Sequence, residues 1–398
     1  MLKDKTIVLG VTGSIAAYKM ANVASMLMKL HADVHVIMTK NATNFINPIT
    51  FETLTGHKCL IDTFDRNFQF EVGHVSIAKK ADVFLVAPAS ANIIGKMACG
   101  IADDMLSTTL LAARCPIIVS PAMNTAMLEN PIVQDNIAKL KSYGMTIIEP
   151  ASGMLACRDI GAGKLPSEDV LVEYILKEVA CKHDLAGKNV LVTAGPTREA
   201  IDPVRFITNH STGKMGYAIA RMAMLRGANV TLVTGPVSLT PPMFCDVVNI
   251  NSADDMYVAV TERSDAQDVI IKSAAVADYT PAYTATEKIK KENSFNDSSL
   301  SLVRTKDILK ALGEKKKPGQ IICGFSMETE NMLENSRKKL ASKNADIIAA
   351  NNLRTEGAGF GTDTNVLTLI TKDSETELDM MSKEEAAMKL LDKIKEMM

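Results

Sequence analysis

The chain has 398 residues, more than a single hydrophobic core usually serves, so two domains are expected. Apolar residues make up 47% and charged residues 23%, and the 44 Lys and Arg are balanced by 46 Asp and Glu, which excludes a charge excess suited to nucleic acid or an anionic membrane. The seven cysteines form no CxxC pair, which disfavours a zinc knuckle or a disulfide scaffold and favours a reducing compartment.

The N-terminal sequence MLKDKTIVLGVTGS predicts a first strand. Its apolar run stops at glycine and lacks both the length and the cleavage site of a signal peptide. No apolar stretch elsewhere reaches membrane-spanning length without charge or glycine. We therefore expect a soluble, cytoplasmic protein.

Short apolar runs alternate with amphipathic stretches through the first half of the chain. Strands that alternate with helices indicate a parallel sheet covered on both faces. The pattern restarts after the helix EDVLVEYILKEVACK, which predicts a domain boundary at residues 182–188, with domains 1–182 and 188–398. The strands predicted in the first domain are KTIVLG, ADVHVIMT, ADVFLVAPAS, CPIIVSPAM and MTIIEP.

The second half repeats this alternation and ends in the amphipathic helix SKEEAAMKLLDKIKEMM. The fold class expected for the whole chain is therefore α/β, with two doubly wound, Rossmann-like domains. The polar segment KENSFNDSSL is predicted to be a loop. The predicted elements are the strands KNVLVTAGPT, ANVTLVTGP, DVIIKSAAVADY, QIICGFSME and ADIIAANN and the helices MGYAIARMAMLRG and NMLENSRKKLASK.

Small polar residues follow several strands of the first domain. Gly13 and Ser14 come after the first strand, Thr39 after the second, and Ser90 and Asn92 after VFLVAPA. Each could be only a helix cap or turn residue. Ligands of open α/β sheets bind at the carboxyl ends of strands, so together these residues favour a bound cofactor, with Gly13 and Ser14 as a phosphate cradle.

Three further residues of the first half could carry chemistry. His74 could be structural or exposed, and Asn124 in PAMN could simply cap the next helix. Cys157 lies in ASGMLACRDIGAGKLP, a segment that its glycines predict to be neither helix nor strand. It is either a buried structural thiol or, on a glycine-hinged lid, a proton donor.

The first half combines four features: His74, APASAN…K…G.ADD, PAMN and the cysteine segment. In this combination it resembles the flavin-dependent cysteine decarboxylases. The resemblance implies a flavodoxin-like first domain in which FMN oxidises the substrate's CH₂–S⁻ unit, so that carbon dioxide can leave. It implies that His74 aids oxidation and decarboxylation, Asn124 holds the substrate carboxylate, and Cys157 protonates the enethiol product. The FMN contacts implied are Gly13, Ser14, Thr39, Ser90, Asn92 and Ser107.

The segment AGPTREAIDPVRFITNHSTGKMG of the second half is not a P-loop, because Met215 follows Lys214 where GxxxxGK[ST] requires Ser or Thr. Its glycines could form a helix cap or seat a phosphate. The segment resembles the ligase half of the bifunctional phosphopantothenoylcysteine decarboxylase/phosphopantothenate–cysteine ligases of coenzyme A biosynthesis. This resemblance covers almost the whole chain.

The resemblance implies that the second domain is a nucleotide-binding ligase. The carboxylate of 4′-phosphopantothenate would attack CTP to give an acyl-cytidylate, from which the amine of cysteine displaces CMP. Asn209 matches the asparagine associated with that intermediate. Because no acidic cluster marks a metal site, Mg²⁺ would arrive with the nucleotide. The CTP contacts implied are Ser273, Ala274, Asp278, Lys288, Lys306, Asp307, Ile308, Leu309, Phe325, Lys339 and Lys343.

The resemblance also implies a homo-oligomer, in which trimers of decarboxylase halves are joined by dimers of ligase halves into a dodecamer. Two other functions remain open at this point. A flavin or nicotinamide oxidoreductase with two Rossmann-like domains is disfavoured, because GxGxxG is absent. A non-catalytic flavin-binding regulator would not need Cys157 and Asn209, which are both present.

Overall fold

The computed structural model describes residues 1–64, 73–154, 160–290, 299–328, 331–352 and 361–398. The chain folds into two compact units, Met1–Cys181 and Lys182–Met398. Each unit has its own sheet, so the two are described separately below.

The N-terminal unit contains a five-stranded parallel sheet. Its strands are β1 (Thr6–Val11), β2 (Asp33–Met38), β3 (Val83–Ala89), β4 (Ile117–Pro121) and β5 (Thr146–Ile147), followed by β6 (Ala151–Met154) and β7 (Ile160–Lys164) outside this sheet. Its α-helices are α1 (Lys19–Lys29), α2 (Pro48–Thr55), α3 (Gly73–Lys80), α4 (Ala91–Cys99), α5 (Met105–Ala112), α6 (Thr125–Leu128), α7 (Pro131–Ser142) and α8 (Glu168–Val179). The strand order is β2-β1-β3-β4-β5, the flavodoxin-like order whose switch point lies between β1 and β3.

Strand β1 is buried along its whole length, as expected of a central parallel strand. One face of the sheet packs on α4, α5 and α7 through apolar side chains such as Val8, Phe84, Ile93, Leu106 and Leu140. This layered core holds the carboxyl ends of β1 and β3 side by side.

The C-terminal unit contains an eight-stranded sheet and smaller two-stranded sheets. Its strands are β8 (Asn189–Ala194), β9 (Arg198–Ala200), β10 (Phe206–Thr208), β11 (Asn229–Thr234), β12 (Asp246–Asn249), β13 (Val269–Lys272), β14 (Tyr279–Pro281), β15 (Leu302–Arg304), β16 (Ile321–Glu328), β17 (Ile347–Asn352), β18 (Thr364–Asn365), β19 (Thr368–Thr371), β20 (Glu375–Glu377) and β21 (Met381–Ser382). Its α-helices are α9 (Lys214–Leu225), α10 (Ala253–Thr261), α11 (Ile308–Glu314), α12 (Met332–Ser342) and α13 (Lys383–Glu396).

The order of the large sheet is β12-β11-β8-β13-β16-β17-β19-β20. Its first six strands are parallel and follow the Rossmann order 3-2-1-4-5-6, so the doubly wound prediction is confirmed for both units. Strands β19 and β20 add an antiparallel extension that the sequence pattern did not predict.

One buried guanidinium, that of Arg226, forms ion pairs with residues near both ends of the C-terminal unit. Arg226 has a side chain only 4% exposed and donates from Nε and Nη2 to the carboxylate of Asp184, at 2.8 and 2.6 Å. Its Nη1 donates to Asp392 on α13 at 2.8 Å. The carboxylate of Asp184 lies before the first strand, whereas that of Asp392 lies on the last helix.

The prediction for the cysteine-containing segment is wrong at both ends of that segment. Residues 151–154 and 160–164 pair as the antiparallel strands β6 and β7. Glycine enrichment alone predicted a loop, but Gly153 and Gly163 have φ values of 151° and 129°, which let this backbone pair in an irregular register. The predicted loop KENSFNDSSL lies mostly outside the described residues, since 291–298 are among the gaps.

Candidate functional site

The switch point of the N-terminal sheet is held by a single buried hydroxyl. Thr12, just after β1, donates from Oγ1 to the carbonyl of Pro88 at 2.6 Å and accepts the backbone N–H of Ser90 at 3.0 Å. The ends of β1 and β3 are therefore tied together. Gly13 follows, where an added Cβ would lie 2.8 Å from Cβ of Asn41.

The small polar residues predicted at the strand ends mostly act as caps here. Ser14 caps a short 3-10 helix over Ile15–Tyr18 by accepting the N–H of Ala16 at 3.3 Å. Thr39 accepts the N–H of Ala42 at 3.3 Å. Ser90 is the N-cap residue of α4 without a side-chain capping bond, and Asn92 is exposed in the first turn. Both roles considered for these residues, cap and ligand, thus remain compatible with their positions.

Ser107 belongs to a charged network at the start of α5. It is 3% exposed and forms a capping box with Asp104, whose carboxylate accepts its N–H at 2.8 Å. Lys96 binds Asp103 at 2.6 Å and Asp104 at 2.8 Å. Burial opposes the charged forms, but these contacts still raise the pKa of Lys96 and lower that of Asp104. The K…ADD motif therefore builds an ion-paired helix start.

A cavity of about 400 Å³, the N-terminal cavity, lies against the start of the chain's first helical turn. Its lining includes Ser14, Asn124 and Lys164. Asn124 also caps α6, since its Oδ1 accepts the N–H of Ala126 at 2.9 Å. Large apolar side chains that are unusually exposed, Ile15 (61%) and Met154 (67%), border the same space. A ligand with an apolar face would cover them.

The β6–β7 hairpin packs on the Asn124 loop at van der Waals distance. A Cβ at Gly163 would lie 2.2 Å from the carbonyl oxygen of Met123, and one at Gly161 would lie 2.4 Å from Oγ1 of Thr125. The backbones are joined by Met123 N–H to the Gly163 carbonyl at 3.0 Å. Only glycine permits this approach. Cys157 lies outside the described residues, in the segment 155–159 between the two strands.

His74 is half-buried in the first turn of α3. It is not among the described residues that line the N-terminal cavity. The structure therefore brings Asn124 and Ser14 together at one cavity but does not bring His74 to it within a single copy of the chain.

The C-terminal unit has a cavity of about 350 Å³, the C-terminal cavity, at the carboxyl edge of its large sheet. The start of α9 forms one wall, and the ends of β13, β16 and β17 form others. Asn209 donates from Nδ2 to the carbonyl of Ala275 at 3.0 Å, which fixes its amide at the rim. The predicted residues that line the cavity are Asn209, Ser273, Ala274, Asp278, Phe325 and Lys339.

Four lysines line the C-terminal cavity and make it strongly cationic. Lys339 donates to the carbonyl of Phe325 at 2.9 Å. Burial, with the Lys339 ammonium adding to it, lowers the pKa of Lys272 to about 8. Lys214 binds Asp363 at 2.7 Å, and Lys383 donates to the carbonyl groups of Thr362 and Thr364. A cavity with these charges suits a polyanion such as a triphosphate.

The other predicted nucleotide contacts do not line this cavity in the described structure. Lys343 is paired with Asp307 at 2.7 Å, and Lys306 with Asp254 at 2.7 Å. The side chains of Ile308 and Leu309 are buried in the core, so only their backbone could reach a ligand. Lys288 is exposed and lies three residues before the gap at 291–298 in the described chain.

Sequence reasoning missed Lys272, Asn351 and Lys383, which the fold brings to the C-terminal cavity from three separate elements. The signal available was weak, because Lys272 and Asn351 stand at the ends of otherwise apolar strands, VIIK and IIAANN. Polar residues at such carboxyl ends are candidates for a site.

Two family models divide the chain between them. The model described as flavoprotein matches residues 1–180, and the model described as DNA/pantothenate metabolism flavoprotein C-terminal domain matches residues 185–398. The chain thus joins a flavoprotein domain to a domain of pantothenate metabolism.

The "Coenzyme A biosynthesis bifunctional protein CoaBC" of Bacillus subtilis is 48% identical, over 99% of this chain and 97% of its own. The protein of the same name from Vibrio parahaemolyticus is 42% identical, over 100% of this chain and 99% of its own. The crystal structure of the C-terminal domain of such a protein is 45% identical and covers 54% of this chain and 98% of its own, with a TM-score of 0.47. The chain belongs to the family of coenzyme A biosynthesis bifunctional proteins.

Membership makes the chain a bifunctional enzyme that acts on small molecules. Its N-terminal flavoprotein half is the decarboxylase and its C-terminal half is the ligase. The oxidoreductase alternative is not favoured by these matches. Across the described residues, no helix is long and apolar enough to cross a membrane.

Proposed function

We propose that the C-terminal unit uses CTP to activate the carboxylate of 4′-phosphopantothenate and then transfers the acyl group to cysteine. The observation that carries this proposal is the C-terminal cavity, where four lysines and Asn209 surround one space. A carboxylate is inert toward an amine until its oxygen becomes a leaving group. Cationic groups that neutralise the departing pyrophosphate lower the barrier to that step.

Within this proposal, Lys272 and Lys339 hold the triphosphate, and the N–H groups at the start of α9 face the phosphate of 4′-phosphopantothenate. Asn209 contacts the acyl-cytidylate. Asp278 is the one proposed nucleotide contact in the cavity that carries a carboxylate. A single carboxylate fits Mg²⁺ held mainly by substrate phosphates, so Mg²⁺ enters with CTP. The remaining proposed contacts are Ser273, Ala274, Lys288, Lys306, Asp307, Ile308, Leu309, Phe325 and Lys343.

For the N-terminal unit we propose FMN as the cofactor. The exposed apolar rim of the N-terminal cavity fits a flat ring, and the capped helical turn after Gly13 fits its phosphate. Bound FMN would accept the hydride that makes loss of carbon dioxide feasible and return it afterwards. The proposed contacts are Gly13, Ser14, Thr39, Ser90, Asn92 and Ser107.

Asn124 holds the substrate carboxylate with its amide, at the wall of the N-terminal cavity. Cys157 protonates the enethiol, a role that suits a thiol whose ordinary pKa of about 8.5 keeps it protonated near neutrality. His74 assists oxidation and decarboxylation. Because His74 does not line the cavity of its own copy, we propose that a neighbouring copy supplies it, with the flavin near a subunit boundary.

This assembly would consist of decarboxylase trimers joined by ligase dimers, in the cytoplasm. Exposed apolar side chains on the small sheets of the C-terminal unit support a contact there. Phe206 on β10 is 44% exposed, and Tyr279 on β14 and Val303 on β15 are 46% and 47% exposed. Such residues are commonly covered in a subunit interface.

Two assays test the proposal on the full-length protein. Steady-state release of pyrophosphate should require CTP, 4′-phosphopantothenate and cysteine together, because without cysteine the acyl-cytidylate is not consumed and only exchange of pyrophosphate with CTP continues. Carbon dioxide release should proceed with bound FMN and no added electron acceptor. Asn209→Asp should impair ligation while decarboxylation continues. Equal ligation by that variant would contradict the role of Asn209, and a colourless protein that still decarboxylates would contradict the role of FMN.

A further inference from the structure

Asn351 has a buried side-chain oxygen with no hydrogen-bond partner among the described residues. The residue lies at the end of β17 and is 4% exposed. A buried amide oxygen without a partner destabilises the folded state, so such groups usually serve a ligand or bound water. Asn351 also lines the C-terminal cavity.

The carboxamide of Asn351 can present its oxygen to that cavity. Its terminal torsion has a broad, roughly two-fold preference. Its oxygen makes no hydrogen bond to a described residue, so a ligand that donates to this oxygen displaces no such bond.

The surroundings of Asn351 restrict what it can bind. Lys214, Lys272, Lys339 and Lys383 line the same cavity and are donors suited to phosphate or carboxylate oxygens. A carboxamide oxygen is an acceptor, so it requires a ligand N–H or O–H. A site with one hydrogen-bond acceptor among several lysines matches an α-amino acid. The acceptor can bind its amine, and a lysine can bind its carboxylate, which lies two bonds from the amine.

The position of Asn351 separates it from the proposed nucleotide contacts. Ser273, Ala274 and Asp278 follow β13, and Phe325 lies on β16, whereas Asn351 lies on β17, the next strand outward. In the order of the large sheet, β13 and β16 lie between β8, the strand that precedes α9, and β17, which carries Asn351.

We infer that Asn351 binds the amine of cysteine and orients it toward the activated acyl group; this rests on the proposed acyl-cytidylate. The nitrogen attacks the acyl carbon, the carbon–oxygen bond to phosphate breaks, and its electron pair leaves with CMP. The nitrogen's surplus proton passes to water. Asn351 accepts a hydrogen bond throughout and takes no proton.

A neutral acceptor suits this step better than a carboxylate would. The amine must be uncharged to attack, and an adjacent carboxylate would raise its pKa and hold it as ammonium. The carboxamide of Asn351 adds no such charge. Burial and neighbouring ammonium groups, which lower the pKa of Lys272, would lower that of a bound amine in the same way.

The test separates activation from amide formation in the full-length protein. Activation is measured as exchange of labelled pyrophosphate into CTP with 4′-phosphopantothenate and without cysteine. Amide formation is measured as kcat/KM for cysteine across pH. Asn351→Leu should leave exchange within about twofold and lower kcat/KM for cysteine about two- to twelvefold, the value of one neutral hydrogen bond. Asn351→Asp should move the acid limb of the cysteine profile up by about one pH unit or more.

Gln267→Leu is the matched control. Its Oε1 is also buried without a partner, but it lies before β13, at the opposite edge of the sheet from the cavity. It should leave the cysteine profile unchanged. The inference is overturned if Asn351→Leu keeps wild-type kcat/KM for cysteine. It is also overturned if the variant reduces exchange or CTP affinity by as large a factor as it reduces kcat/KM for cysteine. Absence of cysteine-independent exchange in the wild type would instead overturn the acyl-cytidylate.

Discussion

The glycine contact between the β6–β7 hairpin and the Asn124 loop gives the sharpest prediction. In Gly163→Ala the new Cβ would lie 2.2 Å from the Met123 carbonyl oxygen, where ordinary contact begins at 3.4 Å. The two backbones must therefore separate by about 1.2 Å. The φ of 129° at residue 163 adds roughly 1–3 kcal/mol of backbone strain.

A displacement of this size at a catalytic loop lowers a rate by about 10²-fold, because reacting groups lose their alignment. We therefore expect decarboxylation by Gly163→Ala to fall by about that factor. Ligation should be retained, since the change lies in the other unit. The assay is carbon dioxide release from phosphopantothenoylcysteine, with ligation measured on the same preparation.

Gly153→Ala provides a control on the same hairpin. Its φ of 151° imposes comparable strain, but the nearest atom to the added Cβ is Cδ of Lys164 at 4.0 Å. It should decarboxylate within a few-fold of wild type. Equal losses in both variants would mean that strain alone matters, and wild-type activity of Gly163→Ala would refute the packing argument.

Three further predictions concern charge and proton transfer. Lys339→Met should raise KM for CTP about 10- to 150-fold, the value of a charge-assisted contact, whereas Lys343→Met should raise it less, because Lys343 is paired with Asp307 outside the cavity. Since the pKa of Lys272 is about 8, its charge is present below that pH and lost above it. KM for CTP should therefore rise from about pH 7 to 9, and Lys272→Arg should flatten that dependence in initial-rate measurements. Cys157→Ser should bind flavin and release carbon dioxide but accumulate the enethiol, detectable by mass spectrometry; normal turnover would remove the proposed role of the thiol.

The alternation of strands and helices was predictable because local pattern and tertiary environment agree there. The apolar residues of KTIVLG lie in β1, which is buried along its whole length. From the motif PAMN, Asn124 could be either a helix cap or a substrate contact, and the amide does cap α6 while it lines the cavity. Asparagine is suited both to capping a helix and to binding a ligand, so the sequence alone does not decide between these two roles.

The parts that sequence reasoning missed depend on contacts between distant segments. Gly161 and Gly163 lie in β7, which pairs with β6 and packs on Thr125 and Met123. No local sequence pattern shows this packing. The lysines of the C-terminal cavity come from the starts of α9 and α13, the end of β13 and the last turn of α12, which are far apart in the chain. Burial that lowers the pKa of Lys272 exists only after these elements have assembled.

The double attachment of Arg226 determines how the ligase half could be cut out as a separate fragment. A fragment that starts at residue 188 loses Asp184, and one that omits α13 loses Asp392, so either truncation strips a carboxylate from a guanidinium whose side chain is 4% exposed. A fragment with intact charge balance must begin no later than Asp184 and retain the final helix. The short connecting stretch before β8 is thus part of the ligase itself and not a dispensable tether.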